Sequence, residues 1–168
     1  LIAHDPSPDQ KLASEFGFRY VGIDELLSAS DIVSLHVPYL TSTHHLISTE
    51  RLAKLKPTSI LINVSRGGLI DTEALLAALG EGKLAGAALD VLEEEGFVKD
   101  EYSFLRFGHP QEQALKTVLQ NHALMRLPNV IITPHIAFNT VEGVNSLLQT
   151  TSENILGFMA KTPKNLIN

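Results

Sequence analysis

The sequence has no cysteine. That excludes a disulfide framework and any thiolate metal site, and a reducing cytoplasm fits it. It has no run of basic residues and a formal net charge of −6, a balance that argues against nucleic acid as a partner. No apolar stretch approaches the roughly 20 residues that a membrane-spanning helix needs, and no signal-peptide pattern opens the chain. A phosphate-binding glycine loop is also lacking. Gly80-Glu81-Gly82-Lys83-Leu84-Ala85 fits G-x-G-x-x-A by letters, but it follows a helical stretch and precedes an apolar one. That is the reverse of the order a phosphate site needs, so these glycines read as a helix C-cap and turn. None of the seven histidines stands in a spacing such as H-E-x-x-H. His44 and His45, being adjacent, are expected to point apart, so no metal is expected.

What is present is a globular composition: 168 residues, 44% hydrophobic and 19% charged, enough for one domain with a sizeable core. Residues 1–4 read as a strand, stopped by Asp5-Pro6-Ser7-Pro8. A chain that opens inside a strand is expected to be a piece of something longer. Residues 9–16 predict a short helix with Leu12, Phe16 and Ala13 facing inward, ended by Gly17. A short strand (18–21) and a short helix (24–30) follow. Residues 31–38 form a buried strand running into Pro38. A polar loop (39–45), a helix (48–55) and a second buried strand (59–64) come next. A helix over 72–79 buries Leu75, Leu76 and Leu79, and residues 84–89 form another strand ending at Asp90. An irregular stretch from Glu93 to about Pro110 carries Phe97, Tyr102, Phe104 and Phe107, which suggest a loop packed on the body. A helix (111–124), a last strand (130–133), a loop (134–139) and a long helix (140–160) close the chain. The long helix has Val144, Leu147, Leu148, Thr151, Ile155, Phe158 and Met159 on one stripe. Strands alternating with helices at short spacing predict an α/β fold, a parallel sheet with helices on both faces and right-handed crossovers.

The chain is organised around Asn63-Val64-Ser65-Arg66-Gly67-Gly68-Leu69-Ile70-Asp71. Asp71 is placed to cap the helix that follows, so Arg66 sits in a strand-to-helix loop at the carboxyl end of a buried strand. In an open α/β sheet, ligands bind at that edge. A planar, always-charged guanidinium there suits a small carboxylate. A lone Arg-Gly-Gly is equally an arginine in a salt bridge at a helix start. Two further groups fall at carboxyl ends of apolar strands, the 90–95 segment and His135. An arginine, a histidine and a carboxylate on one edge are what carbonyl reduction needs: a carboxylate anchor, a proton donor, and an acid that holds the imidazole tautomer. Asp5, after the first strand, is placed either to bond the ribose of a dinucleotide or simply to make a turn.

Taken together, Asp5, His36-Val37-Pro38, Asn63 to Gly67 with Asp71, Ala88-Leu89-Asp90-Val91, and Pro128-Asn129-Val130 leading to Thr133-Pro134-His135 resemble the D-isomer-specific 2-hydroxyacid dehydrogenases along nearly all of the chain. The resemblance implies a Rossmann-like doubly wound parallel sheet, incomplete at its N-terminal side, over residues 1–160. Residues 161–168 would begin the return to a substrate-binding domain. It implies that Arg66 binds the substrate carboxylate and carbonyl, that His135 is the acid/base beside the nicotinamide, and that Glu95 pairs with His135. Glu93 and Glu94 are neighbours in a competing register. Asp5 would hold the adenosine ribose, which favours NAD over NADP. His36, Val37, Pro38, Val64 and Ser65 would line the cofactor cleft, with Asp90 near the carboxamide. Phe138 after the histidine resembles the D-lactate dehydrogenase branch and implies a small 2-oxo acid such as pyruvate. The family's first nucleotide-binding strand and glycine-rich loop are expected upstream of Asp5, and the piece alone is expected to be inactive. A cytoplasmic homodimer is implied for the parent enzyme. A second reading is an NAD(H)-sensing protein like the family's corepressor relatives.

Overall fold

The structure is a computed structural model and describes residues 1–96 and 112–166. Two compact units divide the chain, residues 1–134 and 135–168. In the first unit the alternation of apolar runs and capped helices yields β1 (Ile2–Ala3), α1 (Gln10–Phe16), β2 (Arg19–Tyr20), α2 (Ile23–Ala29), β3 (Ile32–Leu35), α3 (Thr49–Leu52), β4 (Ile60–Asn63), α4 (Thr72–Gly80), β5 (Gly86–Leu89), α5 (Glu112–Leu124) and β6 (Val130–Ile132). The second unit holds α6 (Val141–Met159). The aromatic loop expected after Gly96 lies outside the described residues.

All strand pairs are parallel. β1 pairs with β2, and a separate sheet has the order β3-β4-β5-β6. The register sets Val33 opposite Leu61 and Leu61 opposite Ala87, so one pleat face is continuous across the strands. That face is buried. Val33, Leu35, Leu61, Ala87 and Leu89 join Leu27 of α2, Leu52 of α3, Leu75 and Leu79 of α4 and Leu124 of α5 in one core. The opposite face exposes Ile32, Ile60 and Ile131. Helices were expected on both faces; among the described residues of the first unit, the helices of this core cover one. A parallel sheet ordinarily buries both faces, so the open face is a surface that other structure has to cover.

Local chemistry explains the helix ends. Asp71 accepts from Ala74 N at 3.0 Å and Asp9 accepts from Lys11 N and Leu12 N, both as N-caps. Gly82 is left-handed (φ +68) and Lys83 N bonds back to Ala78 O, so the decoy glycines form the stop of α4. Two packing expectations need correction. Leu12 and Phe16 are exposed, and Ala13 is the residue of α1 that is buried. Leu76 is half-buried. In α6, Leu147, Leu148, Ile155, Phe158 and Met159 are exposed, although they form an apolar stripe as expected. Periodicity marks a face as apolar but does not say what covers it.

Candidate functional site

The carboxyl ends of β4, β5 and β6 are laced together by polar groups that sequence alone leaves without a role. Asn63 is fully buried; its Nδ2 donates to Arg66 O at 2.9 Å, and its Oδ1 accepts from Ser65 N at 3.1 Å. The loop is thereby folded around a side chain from the strand beneath it. Asn63 O in turn accepts from Asp90 N, and Leu89 O accepts from Thr133 N. Asp90 is buried, and its Oδ1 accepts from the Thr133 hydroxyl. A buried carboxylate so placed keeps its cost down through these bonds.

Arg66 stands exposed at the tip of this frame, with Nη1 donating to Ser65 O at 2.7 Å. The next residue explains the loop's shape. A Cβ on Gly67 would lie 2.0 Å from Leu92 C and 2.1 Å from Glu93 N. Only glycine lets the Arg66 loop pack directly against the backbone that leaves β5. Four or five exposed guanidinium donors on a fixed loop suit bidentate capture of a carboxylate.

The three glutamates after Asp90 are told apart by their surroundings. Glu93 Oε1 bonds His45 Nε2 at 2.9 Å and Glu93 Oε2 accepts from Thr72 Oγ1 at 2.8 Å. Asn121, fully buried, donates to Glu93 O at 2.7 Å. Glu94 is exposed with φ +54 in a turn, and Glu95, half-buried, is helical. Glu93 is therefore committed to His45. The sequence register gives no sign of this, because His45 and Glu93 are 48 residues apart.

His36 Nε2 lies 2.8 Å from Ser34 Oγ at the end of β3. Val37 is half-buried there, while Pro38 and Val64 are exposed. Asp5 is exposed after β1, with Oδ1 accepting from Ser7 N at 2.7 Å. It makes the turn that the plainer expectation assigned it, and the same carboxylate has a second oxygen. His135 and Phe138 belong to the second unit, where the rings form an edge-to-face pair 6.4 Å apart and His135 has φ +58. Arg66, Asp90 and Glu95 belong to the first.

The strand order also bears on a dinucleotide. A doubly wound dinucleotide fold runs 3-2-1-4-5-6, and its ligand crosses between strands 1 and 4. Here the strands form two separate parallel sheets, β1-β2 and β3-β4-β5-β6. Asp5 follows β1, and the 36–38 segment follows β3.

Three comparisons bear on this edge. The family model described as D-isomer specific 2-hydroxyacid dehydrogenase, NAD binding domain, matches residues 1–137. A D-specific alpha-keto acid dehydrogenase of Enterococcus faecalis is 46% identical over 159 residues, covering 94% of this chain and 45% of that protein. A glyoxylate reductase of Thermococcus litoralis is 38% identical over 169 residues, covering 100% of this chain and 44% of that protein. Among solved structures, a D-lactate dehydrogenase from Aquifex aeolicus complexed with NAD and lactic acid matches with a TM-score of 0.81 at 35% identity, covering 96% of this chain and 46% of that one. The chain thus spans less than half the length of these relatives.

Proposed function

Because the chain belongs to the D-isomer specific 2-hydroxyacid dehydrogenase family and matches its NAD binding domain, we propose that it supplies the NAD-binding side and the reacting groups of a reductase of small 2-oxo acids. Pyruvate and D-lactate are the proposed pair. The observation that carries this reading is Arg66, exposed on a loop pinned from below by buried Asn63. A fixed guanidinium at the carboxyl edge of a parallel sheet is a receptor for a carboxylate next to a reactive carbonyl.

In this reading Arg66 holds the substrate carboxylate and polarises the carbonyl. NADH, when bound, would supply the hydride for the carbonyl carbon. His135 gives its proton to the carbonyl oxygen, so the 2-oxo acid becomes a 2-hydroxy acid. Glu95 keeps the imidazole in the donor tautomer, and Phe138 bounds the substrate's side chain. Asp5 bonds the ribose hydroxyls and repels a 2′-phosphate. His36, Val37, Pro38, Val64 and Ser65 line the cleft, and Asp90 lies near the carboxamide. The residues present fit the two ends of a dinucleotide, and its pyrophosphate needs a glycine loop that this sequence does not contain. Residues 161–168 begin the return to a substrate domain. The parent is a cytoplasmic homodimer. No described helix is long and apolar enough to cross a membrane.

Loss of NADH absorbance tests the reading, with pyruvate, oxaloacetate, glyoxylate and hydroxypyruvate, for parent-length protein beside this chain. Turnover by the parent alone, fastest on pyruvate, is the expected result. Arg66→Gln should abolish that turnover. NADH binding by the parent without turnover of any 2-oxo acid would overturn the enzyme reading.

A further inference from the structure

Beside the Arg66 loop, where His45 N bonds Gly68 O, the 39–45 loop folds back on itself. His45 takes a left-handed backbone, φ +48, which costs a non-glycine residue energy and is held in place by its surroundings. As a result the His44 and His45 rings do not point apart as adjacent side chains were expected to. They stack, with centroids 3.8 Å apart and 25° between planes. One ligand atom each from His44, His45 and Glu93 lies within 4.8 Å of the other two.

The geometry points to a divalent transition-metal site formed by His44, His45 and Glu93, with zinc as the natural ion. Two imidazoles and a carboxylate are the ligand types zinc takes in three-residue sites, with solvent in the fourth position. The same set disfavours magnesium and calcium, which want oxygen alone. Around a tetrahedral ion with bonds of about 2.0 Å, ligand atoms sit roughly 3.3 Å apart. The Nε2 of His45 and Oε1 of Glu93, now 2.9 Å apart, need only open to admit the ion in place of their shared proton. His44 is exposed and can swing its ring from the stack toward the same point.

What marks this cluster as more than a surface coincidence is the second layer. Ligating histidines ordinarily bond their other ring nitrogen to an oxygen, which fixes tautomer and aim. Here Tyr39 Oη is 3.0 Å from His44 Nδ1, and Asp71 Oδ2 is 4.0 Å from His45 Nδ1. Thr72 Oγ1 donates to the second oxygen of Glu93. Hydrogen bonds thus hold His44 and Glu93 from behind, while the Asp71 carboxylate lies near His45 Nδ1 beyond hydrogen-bond reach, leaving Nε2 of His44 and of His45 and Oε1 of Glu93 for the ion. The cluster lines a cleft of about 310 Å³, with Glu94 on the same wall. An ion there would clamp two segments: the 39–45 loop and the backbone leaving β5.

Isothermal titration of the 168-residue chain with ZnCl2 at pH 7.5 tests the site, with Co2+ absorption as a direct report of tetrahedral nitrogen and oxygen ligation. One ion per chain is expected, with magnesium in excess failing to compete. His44→Ala and Glu93→Gln should each weaken binding by about 100-fold, and Asp71→Asn by about 10-fold, since outer-layer residues cost that much when lost. Zinc should raise the melting temperature of the unmodified chain and not that of His44→Ala. His4→Gln, remote from the cluster, should bind as before. Because Glu93→Gln also loosens the His45 and Thr72 bonds, His44→Ala, whose exposed ring supports no core, decides the matter if the former does not fold. Absence of stoichiometric binding, or undiminished binding by His44→Ala, would overturn the proposal.

Discussion

Two loops of the first unit have the same plan, a strand followed by a polar turn and an aspartate-capped helix, and differ in what lies beneath them. The β4–α4 loop wraps a buried asparagine, packs Gly67 on the 92–93 backbone, and ties Ile70 to Ile47 by an isolated parallel bridge. Its helix buries Thr72, Ala74, Leu75, Ala78 and Leu79. The β1–α1 loop has side-chain bonds of His4 to Val21 O and of Asp5 to Ser7 N, and its helix buries Ala13 alone. The capping chemistry is shared, so capping does not make the difference. The difference is backbone buried behind the loop. Arg66, which must meet its ligand in a set geometry, stands on the loop whose positions are fixed in advance. Asp5 stands after a two-stranded pair separate from the four-stranded sheet.

The contrast is sharpest at glycine. Gly67→Ala drives a Cβ into Leu92 and Glu93 backbone atoms that cannot rotate away, and should cost about 3 kcal/mol, at the upper end for overpacking. Gly17→Ala, after α1, meets nothing within 4 Å and suffers only its φ of +67, a cost of about 1 kcal/mol. Urea denaturation of the two variants measures the gap. Equal midpoints would mean that the β4 loop yields as easily as its counterpart.

The next effect belongs to Asn63. Asn63→Ala strands Ser65 N and Arg66 O beside a buried gap and should cost about 2 kcal/mol, while Asp5→Ala on the other loop leaves the denaturation midpoint unchanged. In parent-length protein, Asn63→Ala should also raise KM for the 2-oxo acid, because Arg66 loses the support that aims it. Asn63→Ala with an unchanged midpoint and KM would separate the loop's order from its buried asparagine.

These two residues show what was legible in the sequence. The strands were, because runs such as Ile60-Leu61-Ile62 carry apolar β-formers between turn residues, and so was the cap at Asp71. Arg66 was legible through its place between a strand and a cap. The role of Asn63 was not, since a buried amide and a turn amide read alike. Nor was the pairing of His45 with Glu93, which depends on a left-handed backbone at a residue with no glycine to announce it. The outward Leu12 and Phe16 fail for a third reason. Amphipathic spacing is a property of one element, and burial is a property of two.

A smaller effect distinguishes the caps themselves. Asp71→Ala removes the acceptor for Ala74 N from a helix packed in the core, so the loss is felt by the whole unit, about 1 kcal/mol. Asp9→Ala removes an equivalent acceptor from α1, and should raise hydrogen exchange within α1 while leaving global unfolding unchanged. A matching global loss in both variants would mean that α1 unfolds together with the core, against the contrast drawn here.

The smallest effect lies on α2, which joins the two regions by surface pairs: Arg19 of β2 to Glu25 on one side, and Lys54 beyond α3 to Asp24 on the other. The Lys54 ammonium donating to Asp24 holds that carboxyl below the ordinary carboxylate range. A carboxyl depressed in the folded state adds stability that is fully present above its unfolded pKa of about 3.9 and is lost as pH falls through the folded value. Lys54→Met should therefore move the Asp24 titration, followed by carbon-13 NMR of the side-chain carboxyl, up to the ordinary range. The denaturation midpoint at neutral pH should not move measurably, because the pair is solvent-exposed and screened. If that midpoint fell as far as it does for Asp71→Ala, the joint at α2 would hold the two regions together by charge. Burial would then no longer account for the difference between the loops.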